Sequence, residues 1–447
     1  MEKDDFIGKE EEIIFETDCS FSVAENDNTI SPKVQGRIKL TTGNLQIIPK
    51  FKEPLFITFR DIVAFYTDDY KLILILTSLE KITISDLGYK FEDCVRIFSR
   101  LYNELMLKDL LMNETLKKSG INAEFLWLAE NGMTKNSGNC EIRIYETGLV
   151  FIPEKGELKR LPFSDFADIT DADYKLSINL ESGEKIIFSK LGRDFDSTVK
   201  VMSDAINELS LKVQNYLKEL IPSATPVVLR KAAQFMREGR AAKRMDIESV
   251  SKELWNELEK KIVLTDIKEE YEFLKSIAIK EKMCIGVKRD LLGDLTGEYV
   301  WFLIPLLMPD SKEFANAIAM EAITGEEGGK ATYFFRILKR SEIGKFNNNE
   351  LNQKIDEFIK KINRCMLAIN FRREPIYLPD EKLQEPQYEK YRYSIAKIQE
   401  LQELRKLFIG RALHFSFDNW KNDVVSILNF NISEKDDGKR WEKMKGR

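Results

Sequence analysis

Apolar and polar positions along the first two hundred residues come in short runs of strand length, then switch to a helical period, and then do the same again. The runs Ile13–Val23, Arg37–Thr41, Leu45–Pro49, Leu55–Phe59, Ile62–Tyr66, Leu72–Thr77 and Lys81–Ser85 are separated by turns rich in Gly, Asn and Asp, which predicts seven strands. Phe91, Val95, Phe98, Leu101 and Leu105 follow at three- and four-residue spacing and predict one helix. Residues 37–105 align without a gap to residues 141–209, with 25 of 69 positions identical. Asp69-Tyr70-Lys71-Leu72 recurs as Asp173-Tyr174-Lys175-Leu176, and Asn103-Glu104-Leu105 as Asn207-Glu208-Leu209. The helical stripe recurs as Phe195, Val199, Met202, Ala205 and Leu209. A gapless repeat of this length keeps every strand and turn, so it predicts two copies of one folding unit.

Seven strands closed by a C-terminal helix resemble the pleckstrin-homology superfold, and the spacing is similar to its GRAM-like and bacterial branches. The residues that carry the likeness are Gly36 to Ile48, strand–turn–strand, and the Asp-hydrophobic pairs Asp61-Ile62 and Asp165-Phe166. The resemblance covers about residues 10–215 and implies an α+β chain opening with two tandem seven-stranded barrels, each closed by a helix. It implies binding of lipid, peptide or protein rather than catalysis. Phosphoinositide-binding members carry a cationic first hairpin loop. Here the loops Ala24–Gln35 and Glu130–Gly138 hold one lysine each, which favours protein partners. The strand pattern is also broadly similar to that of archaeal chemotaxis adaptors, which link a response regulator to the motility motor. The two Asp residues are expected to end a strand and cap a turn.

Beyond Leu209 the pattern changes. Thr225-Pro226 is a helix-start signal, and the helix it opens would carry Arg230, Lys231, Arg237, Arg240, Lys243 and Arg244. If that helix continues through Gly239, four arginines share one face suited to phosphate. The simpler alternative is a solvated face paired with the acids of residues 246–272. A second helix is expected over Asp246–Ile262, and its acidity disfavours a DNA-reading role. Strands are expected at Met283–Lys288, Tyr299–Leu307, Phe314–Ile323 and Lys330–Leu338, with bends at Asp294–Gly297 and Gly325–Gly329, although the alanines of Phe314–Ile323 suit a helix equally. Helices are expected at Asn349–Ile369, Ile395–Phe408 and Phe417–Leu428. Arg372 and Arg373 sit in a proline-bounded connection where an anion or Glu374 would pair with them. Tyr388–Tyr393 interleaves aromatic residues and cations, a composition found at interfaces, and the simpler alternative is packing with a surface hydroxyl. The organisation read from these signals is one module over residues 10–118, a second over 119–221, a helical linker with the basic stretch over 222–282, and an α+β domain over 283–447.

At 447 residues, 43% hydrophobic and 32% charged, the chain has the balance of a folded protein of about three domains. A net charge of −5 argues against a chain built to coat nucleic acid. The longest apolar run, Tyr299–Met308, is ten residues long, about half of what a membrane span needs. Five scattered cysteines never form CxxC, which fits a reduced cytoplasmic setting. His414 is the only histidine, and no catalytic, metal or nucleotide motif appears, so neither an enzyme nor a cofactor is expected. The sequence therefore reads as a cytoplasmic protein-binding adaptor. Peripheral attachment to anionic lipid through residues 230–244 is the alternative, and nucleic-acid binding by the same stretch comes third.

Overall fold

A computed structural model describes residues 12–24, 31–110, 115–288, 299–308, 311–324, 331–338, 342 and 344–432. The bends at Asp294–Gly297 and Gly325–Gly329, and residues 25–30 of the first hairpin loop, lie outside them. The fold is α+β, with two seven-stranded antiparallel sheets, a third sheet of six strands, and eleven α-helices among the described residues.

The first repeat contains β1 (Phe15–Ala24), β2 (Val34–Leu40), β3 (Asn44–Pro49), β4 (Leu55–Thr58), β5 (Ile62–Asp68), β6 (Lys71–Leu76), β7 (Lys81–Ser85) and helix α1 (Phe91–Asp109). The second contains β8 (Leu116–Leu128), β9 (Thr134–Tyr145), β10 (Gly148–Pro153), β11 (Lys159–Pro162), β12 (Phe166–Ala172), β13 (Lys175–Leu180), β14 (Lys185–Ser189) and α2 (Phe195–Leu220). All seven strands expected in each copy are present. From β3 onward the copies are in exact step: β3 begins at Asn44 and β10 at Gly148, 104 residues later, and every later element keeps that offset. The strand orders correspond too, β4-β3-β2-β1-β7-β6-β5 and β11-β10-β9-β8-β14-β13-β12. In the first copy β1 is the pivot, pairing β2 through Phe15–Phe21 and β7 through Ser20–Ala24.

Local chemistry explains the step. Asp69 and Tyr70 both have positive φ (44° and 56°), as do Asp173 and Tyr174 (53° and 55°), the geometry of a type I′ hairpin turn that matches strand twist. The exposed tyrosine then packs on the first residue of the helix, with ring centroids 5.6 Å apart for both Tyr70–Phe91 and Tyr174–Phe195. In the first copy Phe98 meets Phe59 and Phe65 edge-on at 5.5 and 4.9 Å, which seats α1 on the sheet.

The chain divides into two compact units. The first comprises Met1–Met112, Leu116–Val201 and Glu385–Ala396; the second comprises Asn113–Thr115, Met202–Gln384 and Lys397–Arg447. The second unit holds α3 (Pro226–Phe235), β15 (Ala242–Lys243), α4 (Arg244–Val250), α5 (Lys252–Val263), α6 (Lys268–Ser276), β16 (Cys284–Lys288), β17 (Tyr299–Met308), β18 (Ser311–Thr324) and β19 (Ala331–Arg336). These are followed by α7 (Asn348–Ala368), α8 (Glu374–Tyr377), α9 (Tyr391–Lys397, mostly in the first unit), α10 (Gln399–Leu407), β20 (Phe408–Leu413) and α11 (Phe417–Ile432). Its sheet runs β15 to β20 in order.

The apolar run of β17 is buried on both sides. Phe302, Ile304 and Leu306 join a core with Trp255, Tyr271 and Trp420, while Trp301 meets Phe371 at 5.3 Å. The four expected strands of this half are present, whereas the expected helices Asp246–Ile262 and Ile395–Phe408 are each divided. Ser251 breaks the first and caps α5 by accepting from Leu254 N at 3.2 Å. Ile398, with extended φ and ψ, breaks the second, and Phe408 opens a strand that pairs with β19.

Candidate docking site on the first repeat

Strand β4 runs into a single 3₁₀ turn, Phe59–Asp61. Phe59 enters the core, and its two neighbours face outward. Thr58 Oγ1 donates to Asp61 Oδ2 at 2.7 Å, and Thr77 N donates to the Asp61 carbonyl at 2.8 Å, so Asp61 has the turn-capping role its position implied. Arg60 donates through Nε (2.7 Å) and Nη2 (3.0 Å) to the carboxylate of Asp109, the last residue of α1. A carboxylate at a helix C-terminus meets the negative end of the helix dipole. Asp109, with a side chain only 4% exposed, depends on that bidentate fork. The Asp109 hydrogen bond holds the Arg60 guanidinium above its ordinary pKa, against the opposing effect of burial.

Residues Glu385–Ala396, from the far end of the chain, belong to this same unit. Arg392 Nη1 donates to Asp61 Oδ1 at 2.9 Å, so one carboxylate caps a local turn and holds a distant segment. Glu389 lies 3.7 Å from Arg60. Tyr393 is buried in the first repeat's core, edge-on to Tyr102 with centroids 6.4 Å apart. Ser394 Oγ donates to the Asp109 carbonyl at 3.4 Å. Burial pushes the Tyr102 and Tyr393 phenols above their ordinary pKa values. A buried aromatic anchor flanked by charge pairs is how a folded surface holds a polypeptide. Of the tyrosines in Tyr388–Tyr393, Tyr391 and Tyr393 are buried within the chain itself, so they serve packing.

Arg60, Tyr102 and Asp109 were not among the sequence-derived candidates. Their signal lies in the repeat itself: the aligned residues of the second copy are Ser164, Ile206 and Val213, so these are places where the copies part.

A second polypeptide contact joins the repeats. The outward faces of β9 and β10 receive α1. Tyr145, Val150 and Leu158 lie in one cluster with Leu107 and Tyr102. Asn103 bridges the β10–β11 connection, donating to Gly156 O (2.8 Å) and accepting from Leu158 N (2.9 Å). Gly156 N donates to Ser99 Oγ at 3.4 Å. Arg143 grips Glu104 through two nitrogens (2.6 and 3.3 Å), and Lys155 pairs with Glu92. Arg143 also holds the Glu141 carboxyl below its ordinary pKa.

The basic stretch does not form one face. Helix α3 stops at Phe235; Glu238 (φ 54°) and Gly239 (φ 89°) are left-handed, so no helix runs through them. Tertiary contacts fix that turn. Trp301 Nε1 donates to Gly239 O at 2.7 Å, and a Cβ on Gly239 would lie 3.1 Å from Val287 O. Arg230 and Lys231 are exposed on α3, and Arg237 is exposed just beyond it. Arg240 is half-buried in the extended segment after the turn. Lys243 in β15 lies 3.4 Å from Asp356, and Arg244 opens α4, pairing with Glu248 at 2.8 Å. Arg373 donates to Ala322 O at 3.3 Å and lies over the Tyr333 ring at 5.6 Å; Arg372 is half-buried beside it. The eight cations are thus dispersed over several elements of the second unit. In the second hairpin loop Lys135 pairs with Glu184 at 2.5 Å and lies over Trp127 at 4.6 Å.

The buried chemistry of the second unit centres on His414. Its Nε2 lies 2.8 Å from Glu321 Oε1 and its Nδ1 3.4 Å from Glu270 Oε1. Thr332 Oγ1 donates to Glu321 Oε2 at 2.6 Å and accepts from Trp420 Nε1 at 3.0 Å. Burial alone would lower the imidazole pKa; hydrogen bonds and charge from Glu321 and then Glu270 outweigh it and raise the value. The carboxylates sit on opposite ring nitrogens, which ties β18, α6 and the end of β20 together. Among the described residues no group of His, Cys, Asp and Glu is arranged to hold a metal ion. All five cysteines are buried, and burial raises Cys19 to about 11 and Cys94 and Cys140 to about 12, so these thiols stay protonated. No helix among the described residues is long and apolar enough to cross a membrane.

No protein-family model matches the chain, and no curated protein matches it. Among solved structures it is similar to one titled "Structure of the Spt16D Pob3N heterodimer", at 12% identity over 38% of this chain and 85% of that chain, with a TM-score of 0.16. A score that low carries no argument about fold or function.

Proposed function

We propose that the chain is a non-catalytic adaptor whose tandem repeats are pleckstrin-homology-like barrels that dock polypeptide segments. The observation that carries this reading is the seating of Glu385–Ala396 on the first repeat through Tyr393, Arg392 and Ser394. The module surface there engages a tyrosine-anchored segment through one apolar insertion and a carboxylate–guanidinium pair, as a partner peptide would be held. The dispersal of the basic stretch supports the same reading over anionic lipid or nucleic acid, because phosphate binding gains from convergent cations. Affinity capture with the full chain tests it. One or a few proteins should be recovered in near-stoichiometric amounts, and their recovery should fall when Asp61→Ala removes the carboxylate of the docking face. Recovery no greater than from a blank matrix overturns the adaptor reading. Flotation with vesicles containing phosphatidylserine and gel shift with duplex DNA are the arms in which the alternatives would appear, and salt-sensitive binding in either displaces it.

A further inference from the structure

The contact between the repeats has two halves: one, the helix surface, recurs nearly intact in the chain, and the other, the sheet face, recurs in its strands but with Thr41, Gln46 and Pro54 where Tyr145, Val150 and Leu158 stand. One half is the α1 surface made by Glu92, Ser99, Asn103, Glu104 and Leu107. The aligned residues on α2 are Asp196, Ser203, Asn207, Glu208 and Leu211, four of them identical and one a conservative change. On α1 the surface is covered: Ser99 and Asn103 are buried and Leu107 is 8% exposed. On α2 it is open: Ser203, Asn207 and Glu208 are exposed, and Leu211 is 56% exposed.

The other half is the outer sheet face of β9 and β10. Its counterpart in the first repeat is the outer face of β2, β3 and β4, where Ile48 aligns with Ile152, Lys39 with Arg143 and Phe56 with Arg160. Leu45 and Ile47 point into the core, so strand alternation turns Gln46 and Ile48 outward. Here no described residue covers the face. Phe56 is 62% exposed and Phe51, in the β3–β4 connection, 95% exposed. Beside them runs a groove of about 680 Å³ lined by residues including Arg37, Lys39, Ile48 and Lys50.

We propose that this open face of the first repeat receives helix α2 of a second copy of the chain, in the way the second repeat receives α1. Lys39 then meets Glu208 as Arg143 meets Glu104, and Leu211 packs on the apolar surface of Ile48 and Phe56. Two bonds of the internal contact have no equivalent: Pro54 stands where Leu158 donates its N–H to Asn103, and a proline has no N–H to give, while Phe51 stands where Lys155 pairs with Glu92. The two surfaces of the contact differ, so the interface is heterologous, and each added copy leaves one helix and one face free. Without the covalent tether that joins α1 to the second repeat, the association is weak and is expected within about 10 μM to 1 mM.

The inference rests on reading the repeats as polypeptide-docking modules. Sedimentation of the full-length chain tests it with two variants at exposed positions, Phe56→Glu on the face and Leu211→Glu on the helix. The wild-type mass should rise with concentration past that of a dimer. Each variant alone should need at least about tenfold higher concentration to associate, a loss of 1.4 kcal/mol or more. An equimolar mixture should form a dimer and stop there, because the first variant keeps its helix and the second its face. A wild type that stays monomeric to about 1 mM, a single variant that assembles like wild type, or a mixture that stays monomeric overturns the proposal. Partner capture with the double variant, which cannot self-associate, reads the adaptor function separately, so either idea can fail alone.

Discussion

The two repeats share strand order, turn conformation and helix start, yet they differ in what their surfaces hold. The second repeat presents its β9–β10 face to α1, while the matching face of the first is open. The first repeat holds Glu385–Ala396 through Asp61, Tyr102 and the Arg60–Asp109 pair; at the last three of these positions the second copy has Ile206, Ser164 and Val213. Duplication therefore preserved what the fold requires, such as the positive-φ Asp-Tyr turn and the Phe91/Phe195 anchor, and released the outward positions to diverge. Identical residues can have unequal roles for the same reason. Asn103 and Asn207 occupy equivalent places, but only Asn103 is buried with two backbone partners.

That pair gives the largest expected contrast. Asn103→Ala leaves a partly buried carbonyl and a buried N–H without their partner and should cost about 1–3 kcal/mol of the first unit's stability, whereas Asn207→Ala should stay within about 0.5 kcal/mol. Urea unfolding of both variants checks it, and equal losses would dissolve the distinction between covered and open helix. Next comes Asp109→Val, the residue of the other copy, which removes the partner of Arg60 and should cost about 2–3 kcal/mol. Adding Arg60→Ser should recover part of that loss, a coupling of about 1 kcal/mol or more in the double-mutant cycle. Arg392→Ala should cost about 1 kcal/mol or less, since Asp61 is partly exposed. It should nonetheless speed proteolytic cleavage within residues 385–396, and Asp165→Asn in the second copy should leave that rate unchanged.

The smallest effect is in acid. Glu141 has a folded pKa below its unfolded value, principally through its hydrogen bond to Arg143, so its stabilisation is present above the unfolded pKa of about 4.3 and lost as pH falls through the folded value. With the side chain partly exposed, the amount is below about 1 kcal/mol. The wild type should lose that increment on acidification, and Glu141→Gln should not. Its counterpart in the first copy is Arg37, which does not titrate in this range, so this increment has no equivalent at that position.

The basic stretch illustrates why a site was harder to read than a fold. Residues 230–244 have helical spacing, and nothing local except Gly239 argues against one helix. The break is imposed by Trp301 and Val287, some fifty residues further along the chain. Likewise the tyrosine-rich segment carried an interface composition, but its surface was assembled from Arg60, Asp61, Tyr102 and Asp109, none of which is near it in sequence.

By itself the sequence determined the duplication, the seven strands and following helix of each copy, and most strands of the second unit. Strand period, hairpin turns and helix starts depend on neighbours within a few residues, and a gapless repeat displays that dependence twice. Tertiary structure alone decided where α3 ends and that Phe408–Leu413 is a strand. It alone decided that Asp61 serves a segment more than three hundred residues away, and that one of two closely similar helix surfaces is covered. These outcomes depend on hydrogen-bond partners and buried area supplied by distant parts of the chain, and residue spacing carries no record of which distant parts will meet.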